Sequence, residues 1–220
     1  MNLTKLIYFS IISMIIINLL ASCSGNVKKL YWDNGKLQSE VSYSDGIMHG
    51  PAIWYYENGN MQQQLTYNNG EVDGEMKRFY SSGSLESVSI YNNGLLNGKA
   101  LTYSRQGVLM SEENYTNDTL DGPVNKYYSD GKPQMTGTYK NGLFHGAWIY
   151  YDVYGNIVGS ANYNEGNGLL KAWWPNGNIK REVNYKINLK NGAEKSFDSD
   201  GKLIEVLYFK DGVQIQDSIN

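Results

Sequence analysis

The sequence has one cysteine, two histidines and four prolines in 220 residues. A single cysteine excludes an intramolecular disulfide and any metal site built from several cysteines. Two histidines and the lack of a Gly-x-Ser-x-Gly motif argue against nucleophilic catalysis. The formal net charge of −3 is too small to favour nucleic acid as a partner. We therefore expect a protein that is not an enzyme and needs no cofactor and no metal ion.

The long apolar run of the sequence lies at its N-terminus. It extends from Leu6 to Leu20 after the basic Lys5, a length typical of a secretory signal and short for a membrane span. The run ends in Leu20-Ala21-Ser22-Cys23, which resembles the lipobox of bacterial lipoproteins. The resemblance implies a signal peptide over residues 1–22 and a lipid (palmitate or a similar acyl chain) on Cys23. The alternative is an ordinary secretory signal in which this cysteine is incidental.

Lipidation would anchor the exported protein to a membrane of the cell envelope, because buried acyl chains hold a protein at a bilayer. The residue after Cys23 is serine rather than aspartate. By resemblance to the known lipoprotein sorting rule, this favours the outer membrane where the host has one.

The chain after Cys23 is periodic. Glycine (24 residues) and tyrosine (19 residues) are abundant, and both recur about every 24 residues with a single two-residue deletion near Gly168. The tyrosine column comprises Tyr43, Tyr67, Tyr91, Tyr115, Tyr139, Tyr163, Tyr185 and Phe209. A second column comprises Gly50, Gly74, Gly98, Gly122, Gly146, Gly168 and Gly192. A third, which we call the loop glycines, comprises Gly35, Gly59, Gly83, Gly107, Gly131, Gly155, Gly177 and Gly201.

Each loop glycine predicts a β-hairpin. It often follows asparagine or aspartate, as at Asn58-Gly59, and such dipeptides between β-type segments favour hairpin turns. Counted from the loop glycine, position −4 is always aromatic, position +2 is mostly aliphatic and position +8 is the tyrosine column. A two-residue loop would pair position −3 with +2, whereas a three-residue loop with a glycine bulge would pair −4 with +2. We favour the three-residue loop because it gathers the aromatic, aliphatic and tyrosine columns on one face.

These features predict an all-β fold, an elongated antiparallel β-meander or solenoid of tandem hairpins. We expect about 16 strands, with seven full repeats and partial repeats at both ends. The predicted boundaries are a signal peptide at 1–22, a tether at 23–29, a continuous repeat array at 30–212 and a polar tail at 213–220.

The histidines have a structural interpretation within this array. His49 and His145 occupy one repeat position, which elsewhere holds Asp73, Asn97, Asp121, Asn167 and Asn191. That position favours a small polar turn residue. Four repeats separate the two histidines, so we interpret them as turn residues and not as metal ligands or general bases.

Position −3 supplies the candidate binding residues. It should face away from position −4 and holds Trp32, Tyr56, Tyr80, Ser104, Tyr128, Asp152, Trp174 and Asp198. Exposed tyrosine and tryptophan dominate binding hot spots because they offer a large contact area at a low entropic cost. We therefore predict a partner-binding strip formed by Trp32, Tyr56, Tyr80, Tyr128 and Trp174, together with Trp54.

The repeat resembles the MORN repeat, in particular its bacterial variant. The segment Tyr139-Lys140-Asn141-Gly142-Leu143-Phe144-His145-Gly146 matches its pattern closely, and the resemblance covers residues 30–212. Asp118 and Asn188 depart from it, because each replaces a glycine. Bacterial proteins of this variant are often labelled YwqK-type antitoxins, which implies a toxin as one kind of partner.

The function expected from these observations is that of a non-catalytic, membrane-anchored scaffold that binds a protein partner. The alternative is a cell-wall or glycan-binding surface, since aromatic rows also suit sugar faces. Binding to a lipid surface would need a basic strip, which the scattered lysines do not form.

The predicted lipid on Cys23 can be tested directly. Replacing Cys23 by serine removes the thiol that would carry the acyl chains, so we expect the variant to lose membrane association. The measurement is incorporation of an alkyne-labelled palmitate, followed by fractionation of membranes. Labelling of the parent chain and none of Cys23→Ser is the expected result, and equal membrane retention of both would contradict it.

Overall fold

The computed structural model describes residues 25–216. The predicted signal peptide at residues 1–22 and Cys23 therefore lie outside the described residues. Among the residues that are described, no helix is long and apolar enough to cross a membrane.

The described chain forms one antiparallel sheet of 19 strands. Most successive strands pair with each other, so the sheet is a meander in chain order. The strands are β1 (Asn26–Tyr31), β2 (Leu37–Ser44), β3 (Ile47–Tyr55), β4 (Met61–Asn68), β5 (Glu71–Val72), β6 (Gly74–Phe79), β7 (Leu85–Asn92), β8 (Leu95–Tyr103), β9 (Leu109–Thr116), β10 (Thr119–Leu120), β11 (Gly122–Tyr127), β12 (Pro133–Lys140), β13 (Leu143–Tyr151), β14 (Ile157–Asn164), β15 (Asn167–Trp173), β16 (Ile179–Lys186), β17 (Leu189–Phe197), β18 (Leu203–Lys210) and β19 (Val213–Gln216). β5 and β6 both pair with β4, and β10 and β11 both pair with β9. The predicted all-β meander of tandem hairpins is confirmed.

The structure differs from the predicted boundaries at both ends. β1 begins at Asn26, so most of the predicted tether is already a strand that pairs with β2. β19 covers Val213–Gln216, the start of the predicted polar tail, and pairs with β18. Backbone hydrogen bonds therefore extend the array at each end beyond Tyr31 and Phe209, the first and last aromatic residues of the repeat pattern.

The loop glycines end three-residue loops. The Gly59 N–H donates to the Tyr56 carbonyl (2.8 Å) and the Tyr56 N–H donates to the Asn60 carbonyl (2.9 Å). This places Tyr55 opposite Met61, which is the predicted pairing of position −4 with +2. Gly59 has φ of 94°, a left-handed conformation that glycine adopts at little cost. The three-residue loop is confirmed.

A second kind of turn connects the hairpins. Here two residues with positive φ follow each other, for example Asp45 (φ 50°) and Gly46 (φ 81°), as in a type I′ turn. Asp118 (φ 62°) and Asn188 (φ 62°) take the place of glycine, because aspartate and asparagine tolerate the left-handed region better than other side chains. This explains why the two departures from the repeat pattern leave the sheet intact.

A bulge after each three-residue loop overturns the predicted arrangement of the faces. Tyr55 lies opposite Met61, but Trp54 lies opposite Gln63, so Gln62 is an extra residue. An extra residue reverses the alternation of side chains along the rest of the strand. Position −4 therefore faces away from the tyrosine column, and the prediction that both share one face is wrong.

Contacts agree with this correction. The Tyr55 hydroxyl, at position −4, donates to Glu40 Oε2 (3.4 Å) on the polar face. Tyr67, from the tyrosine column, packs on the opposite face against a cluster formed by Val41, Ala52 and Leu65.

The core runs along the face that carries the tyrosine column. Its second cluster contains Val124, Trp148, Ala161 and Tyr163, from strands β11, β13 and β14. Phe144 follows a connecting turn and packs on Trp148 with ring centroids 4.7 Å apart. Burying a large apolar side chain stabilises the fold by about 1.5–3 kcal/mol. These contacts cross from one hairpin to the next, so no hairpin forms its core alone.

The two-residue deletion is absorbed next to Gly166. β14 and β15 pair without a register shift, whereas β2 and β3 shift at the corresponding place. Asn188 then reaches across two connecting turns: its side chain accepts from the Phe144 N–H (2.8 Å) and donates to the Gly142 carbonyl (2.8 Å). Asp118 makes the equivalent bond in a repeat without the deletion, where its Oδ1 accepts from the Leu96 N–H (2.7 Å).

Gly137 offers a test of core packing. It occupies a position that holds Val41, Leu65 and Val183 in other repeats, and a Cβ atom there would overlap the ring of Trp148. We expect Gly137→Ala to lower the free energy of unfolding by about 1–3 kcal/mol through overpacking. Chemical denaturation followed by circular dichroism measures the change.

The control for this prediction is the double variant Gly137→Ala/Trp148→Leu. It removes the overlapping ring, so the glycine substitution should cost much less in that background than in the parent. Equal costs in the two backgrounds would show that Trp148 is not the reason for the glycine.

Candidate functional site

The predicted strip at position −3 has a structural role in the sheet. Its polar atoms donate to the carbonyl of position −4 in the following repeat. The bonds are Trp32 Nε1 to Tyr55 (3.2 Å), Tyr56 Oη to Phe79 (2.8 Å), Tyr80 Oη to Tyr103 (2.7 Å), Tyr128 Oη to Tyr151 (2.7 Å) and Trp174 Nε1 to Phe197 (3.0 Å). We call these five residues the aromatic ladder. Each one connects its hairpin to the next by a hydrogen bond.

The ladder residues are half-buried, not fully exposed. The row is interrupted at Ser104, Asp152 and Asp198, so it is not continuous. The ladder therefore does not form the predicted exposed strip. Recognition of a partner by parts of these rings remains a prediction.

Trp54 lies on the core side of the sheet. It is opposite Gln63 across the β3–β4 pair and packs against the cluster of Val41, Ala52 and Leu65. The packing separates Trp54 from the ladder and gives it a mainly structural role.

Asparagines at position −1 support the ladder. The side chains of Asn34, Asn58 and Asn176 donate to the carbonyls of Glu57, Ser81 and Ser199 (3.0, 2.7 and 2.7 Å). The Asn58 Oδ1 also accepts from the Asn60 N–H at 2.9 Å. Asparagine before the loop glycine thus shapes its own loop and binds the next one. The sequence predicted that asparagine shapes its own loop, but it did not predict the bond to the next loop.

The histidine position accepts a hydrogen bond from the next connecting turn. His49 Nδ1 accepts from the Asn69 N–H (3.4 Å), and Asp121 Oδ1 accepts from the Asn141 N–H (3.2 Å). Within residues 25–216, no group of histidine, cysteine, aspartate or glutamate side chains could hold a metal ion. His49 and Asp121 therefore share a role, whereas the Nδ1 atom of His145 is buried without a hydrogen-bond partner in the described part of the chain.

Tyrosine hydroxyls in the core hold their protons at neutral pH. Burial raises the pKa of Tyr150 to about 12, and burial also raises the pKa of Tyr163. These phenols are hydrogen-bond donors and packing groups, and their environment does not activate them as bases.

A buried carboxylate stands at a core position near the C-terminal end. Glu194 is 4% exposed and is bound by Arg181 and by Lys190, the latter at 2.6 Å. Burial alone would raise the pKa of this carboxyl, but hydrogen bonds and charges from Lys190 and Arg181 outweigh burial and lower the pKa. Arg181 and Lys190 compensate the buried charge of Glu194 with contacts to both of its carboxylate oxygens, which makes the cluster a structural ion-pair site.

Exposed apolar side chains lie in the loop between β13 and β14 and at the start of β14. Val153 and Tyr154 are 49% and 82% exposed, and Ile157 is 56% exposed. Ile157 lines a cavity of about 410 Å³ together with Trp173, Trp174 and Pro175 of the next hairpin, and Asp152 and Asn156 of the Val153-Tyr154 loop also line it. We use the name tryptophan patch for Val153, Tyr154, Ile157, Trp173, Trp174 and Pro175.

The patch breaks the pattern of the other loops. The two residues before each loop glycine are polar in most repeats, such as Ser129-Asp130 and Ser199-Asp200, but are Val153-Tyr154 here. Of the tryptophan patch, the binding residues predicted from the sequence include Trp174 alone. The signal was present as two apolar residues in a loop position that is otherwise polar.

Comparison with known families identifies the repeat. A family model described as "MORN repeat variant" matches residues 26–45, 48–69, 72–93, 96–117, 120–141, 167–186 and 190–211. No curated protein matches the chain. Among solved structures, a chain in the crystal structure of TcdB2-TccC3-Cdc42 is 10% identical with a TM-score of 0.20. The match covers 85% of this chain and 13% of that chain, so the present chain spans a small part of its length.

The ladder predicts a stability effect. Tyr128→Phe keeps the ring but leaves the Tyr151 carbonyl without its donor, so we expect the free energy of unfolding to fall by about 0.5–1.5 kcal/mol. Tyr154→Phe is the matched control, because this side chain is 82% exposed and its hydroxyl is open to water. Urea denaturation measures the free energy of unfolding of both variants. A Tyr128→Phe variant as stable as the parent chain would rule out a stabilising role for the ladder bond.

Proposed function

The chain belongs to the MORN repeat variant family, and on this premise we propose that it is a membrane-anchored scaffold that binds a protein partner through the tryptophan patch. Proteins built of MORN repeats are generally non-catalytic repeat scaffolds. The columns shared by all repeats hold the sheet together. Such a scaffold therefore binds partners through the side chains at which individual repeats depart from the shared pattern.

The exposed Val153-Tyr154 loop carries the proposal. Both side chains stand in water where other repeats place polar residues, so they contribute little to the fold. Contiguous exposed apolar side chains mark interaction surfaces, and tyrosine and tryptophan are enriched at binding hot spots. The adjoining cavity of about 410 Å³ could receive an apolar anchor from a partner.

Chemistry around the patch favours a protein over a small polar ligand. Asp152 lines the cavity, but its carboxylate already accepts from the Tyr154 and Asn156 N–H groups at 2.9 Å each. Lys180 lies over the Trp174 ring, with Nζ 4.4 Å from the ring centre. Few free polar groups remain, so binding would depend mainly on burial of apolar area, as in the centre of a protein interface.

A lipid on Cys23 would place the patch at a membrane surface. The partner would then be a protein exposed to the same compartment of the cell envelope. A toxin that this chain neutralises, the antitoxin-like form of the proposal, is one such partner.

The test is capture of a partner from membranes. The tagged, lipidated full-length chain is crosslinked in cells and purified beside the variant Val153→Ser/Tyr154→Ser. We expect one protein to be captured by the parent and lost from the variant, because the variant removes exposed apolar area without breaking a ladder bond.

A matched control is Ser129→Ala/Asp130→Ala, which changes the same two loop positions in the preceding repeat. This control should capture the protein as the parent does. Capture that is unchanged in the Val153→Ser/Tyr154→Ser variant would refute the role of the patch, and the lack of any captured protein would refute the scaffold proposal itself.

A further inference from the structure

A cavity lies where the aromatic ladder is interrupted at Ser104. In the preceding repeat, Tyr80 fills position −3 and donates to the Tyr103 carbonyl at 2.7 Å. Ser104 is too short to reach the following repeat, and its hydroxyl oxygen instead accepts from the N–H groups of Gln106 (3.3 Å) and Val108 (3.2 Å). An open cavity of about 610 Å³ lies between these two repeats. Ser104, in place of a ladder ring, is therefore part of the cavity wall.

Two arginines line this cavity, Arg78 and Arg105. The remaining arginine of the sequence, Arg181, is bound to Glu194. The Arg105 guanidinium lies over the Tyr80 ring, 5.4 Å from its centre, an orientation stabilised by cation–π attraction. Arginine presents a planar fork of donors that suits carboxylates and phosphates.

The charges in the cavity favour a single negative charge on the ligand. Glu86 also lines the cavity, and its Oε2 lies 3.8 Å from Arg78 Nε. Two guanidinium groups and one carboxylate leave one net positive charge. A carboxylate ligand would neutralise it, whereas a phosphate dianion would leave an excess negative charge beside Glu86.

The remaining walls suit a ligand rich in hydroxyl groups. Ser87, Thr102 and Ser104 line the cavity beside Tyr80. Thr102 Oγ1 lies 2.7 Å from Ser111 Oγ, and the Ser104 hydroxyl still has its proton to donate because its oxygen serves as the acceptor. An aromatic side chain next to hydroxyls and an arginine pair matches a sugar ring that carries a carboxylate.

We infer that the cavity between Tyr80 and Ser104 binds a carboxylate-bearing sugar, such as a uronic acid unit of an acidic polysaccharide. Arg78 and Arg105 hold the carboxylate, and Ser87, Thr102 and Ser104 bind ring hydroxyls. The site shares no residue with the tryptophan patch, so the inference does not rest on the proposed protein partner. It gives the array a second surface, one that would attach the protein to an acidic glycan.

The test is calorimetric titration of the full chain in detergent with a galacturonate trisaccharide. The fully methyl-esterified trisaccharide is the control ligand, because it keeps the sugar and removes the charge. We expect binding of the acid, no measurable binding of the ester and weaker binding as salt screens the arginines. Equal binding of acid and ester would overturn the inference, as would the absence of binding by the acid.

Variants then locate the site. Arg78→Gln and Arg105→Gln should each weaken binding by about tenfold, since each removes charge-assisted hydrogen bonds. Lys202→Gln, which removes an exposed cation elsewhere, should leave binding unchanged, as should Val153→Ser/Tyr154→Ser. Full binding by both arginine variants would place the ligand elsewhere and overturn the inference.

Ser104→Tyr provides a variant that should fold well. It restores the ladder residue found in neighbouring repeats, and the new hydroxyl should donate to the Tyr127 carbonyl. We expect stability equal to or above that of the parent, together with weaker trisaccharide binding, because the serine hydroxyl that lines the cavity is replaced by a phenol bonded to the following repeat. Binding at the affinity of the parent would overturn the inference. Tighter binding of hexaglutamate or inorganic phosphate by the parent chain would overturn the sugar as the ligand class.

Discussion

The structure depends on bonding between successive hairpins. A single hairpin exposes both its apolar stripe and its backbone carbonyls, and it is marginally stable in water. In this chain the carbonyl at position −4 accepts a hydrogen bond from the ladder residue of the preceding repeat, as Phe79 does from Tyr56. The core clusters likewise join strands from neighbouring hairpins. Stability is thus a property of adjacent repeats, as expected for a quasi-one-dimensional array.

This constraint separates structural residues from residues that are free to serve a function. The repeated aromatic columns are required for contacts between hairpins, so their recurrence is a sign of a structural role. Residues that break the repeat pattern are not bound by this requirement. Ser104 omits a ladder ring and lines a cavity beside two arginines, and Val153-Tyr154 places apolar side chains in a loop that is polar elsewhere. In an array of this kind, departures from the repeat are the better guide to function.

Other departures are compensated within the fold. Asn188 replaces a glycine next to the two-residue deletion, and its side chain bonds to the backbone of Gly142 and Phe144. Glu194 occupies a core position, where Arg181 and Lys190 neutralise it. Both residues break the pattern and both have all of their partners inside the sheet. A departure from the repeat therefore indicates a binding surface only where it leaves an exposed side chain or lines an open cavity.

The sequence by itself determined the all-β repeat fold, the order of the strands and the three-residue loops, because glycine spacing and loop chemistry depend on local backbone conformation. It could not determine which columns share a face, since Gln62 and its counterparts form bulges that reverse the alternation through hydrogen bonding with the neighbouring strand. For the same reason it placed the ladder side chains on the outside and missed the site at Arg78 and Arg105. Arg78 lies on β6 and Arg105 follows β8, and only the pairing of β7 with both of these strands brings the two arginines to one cavity.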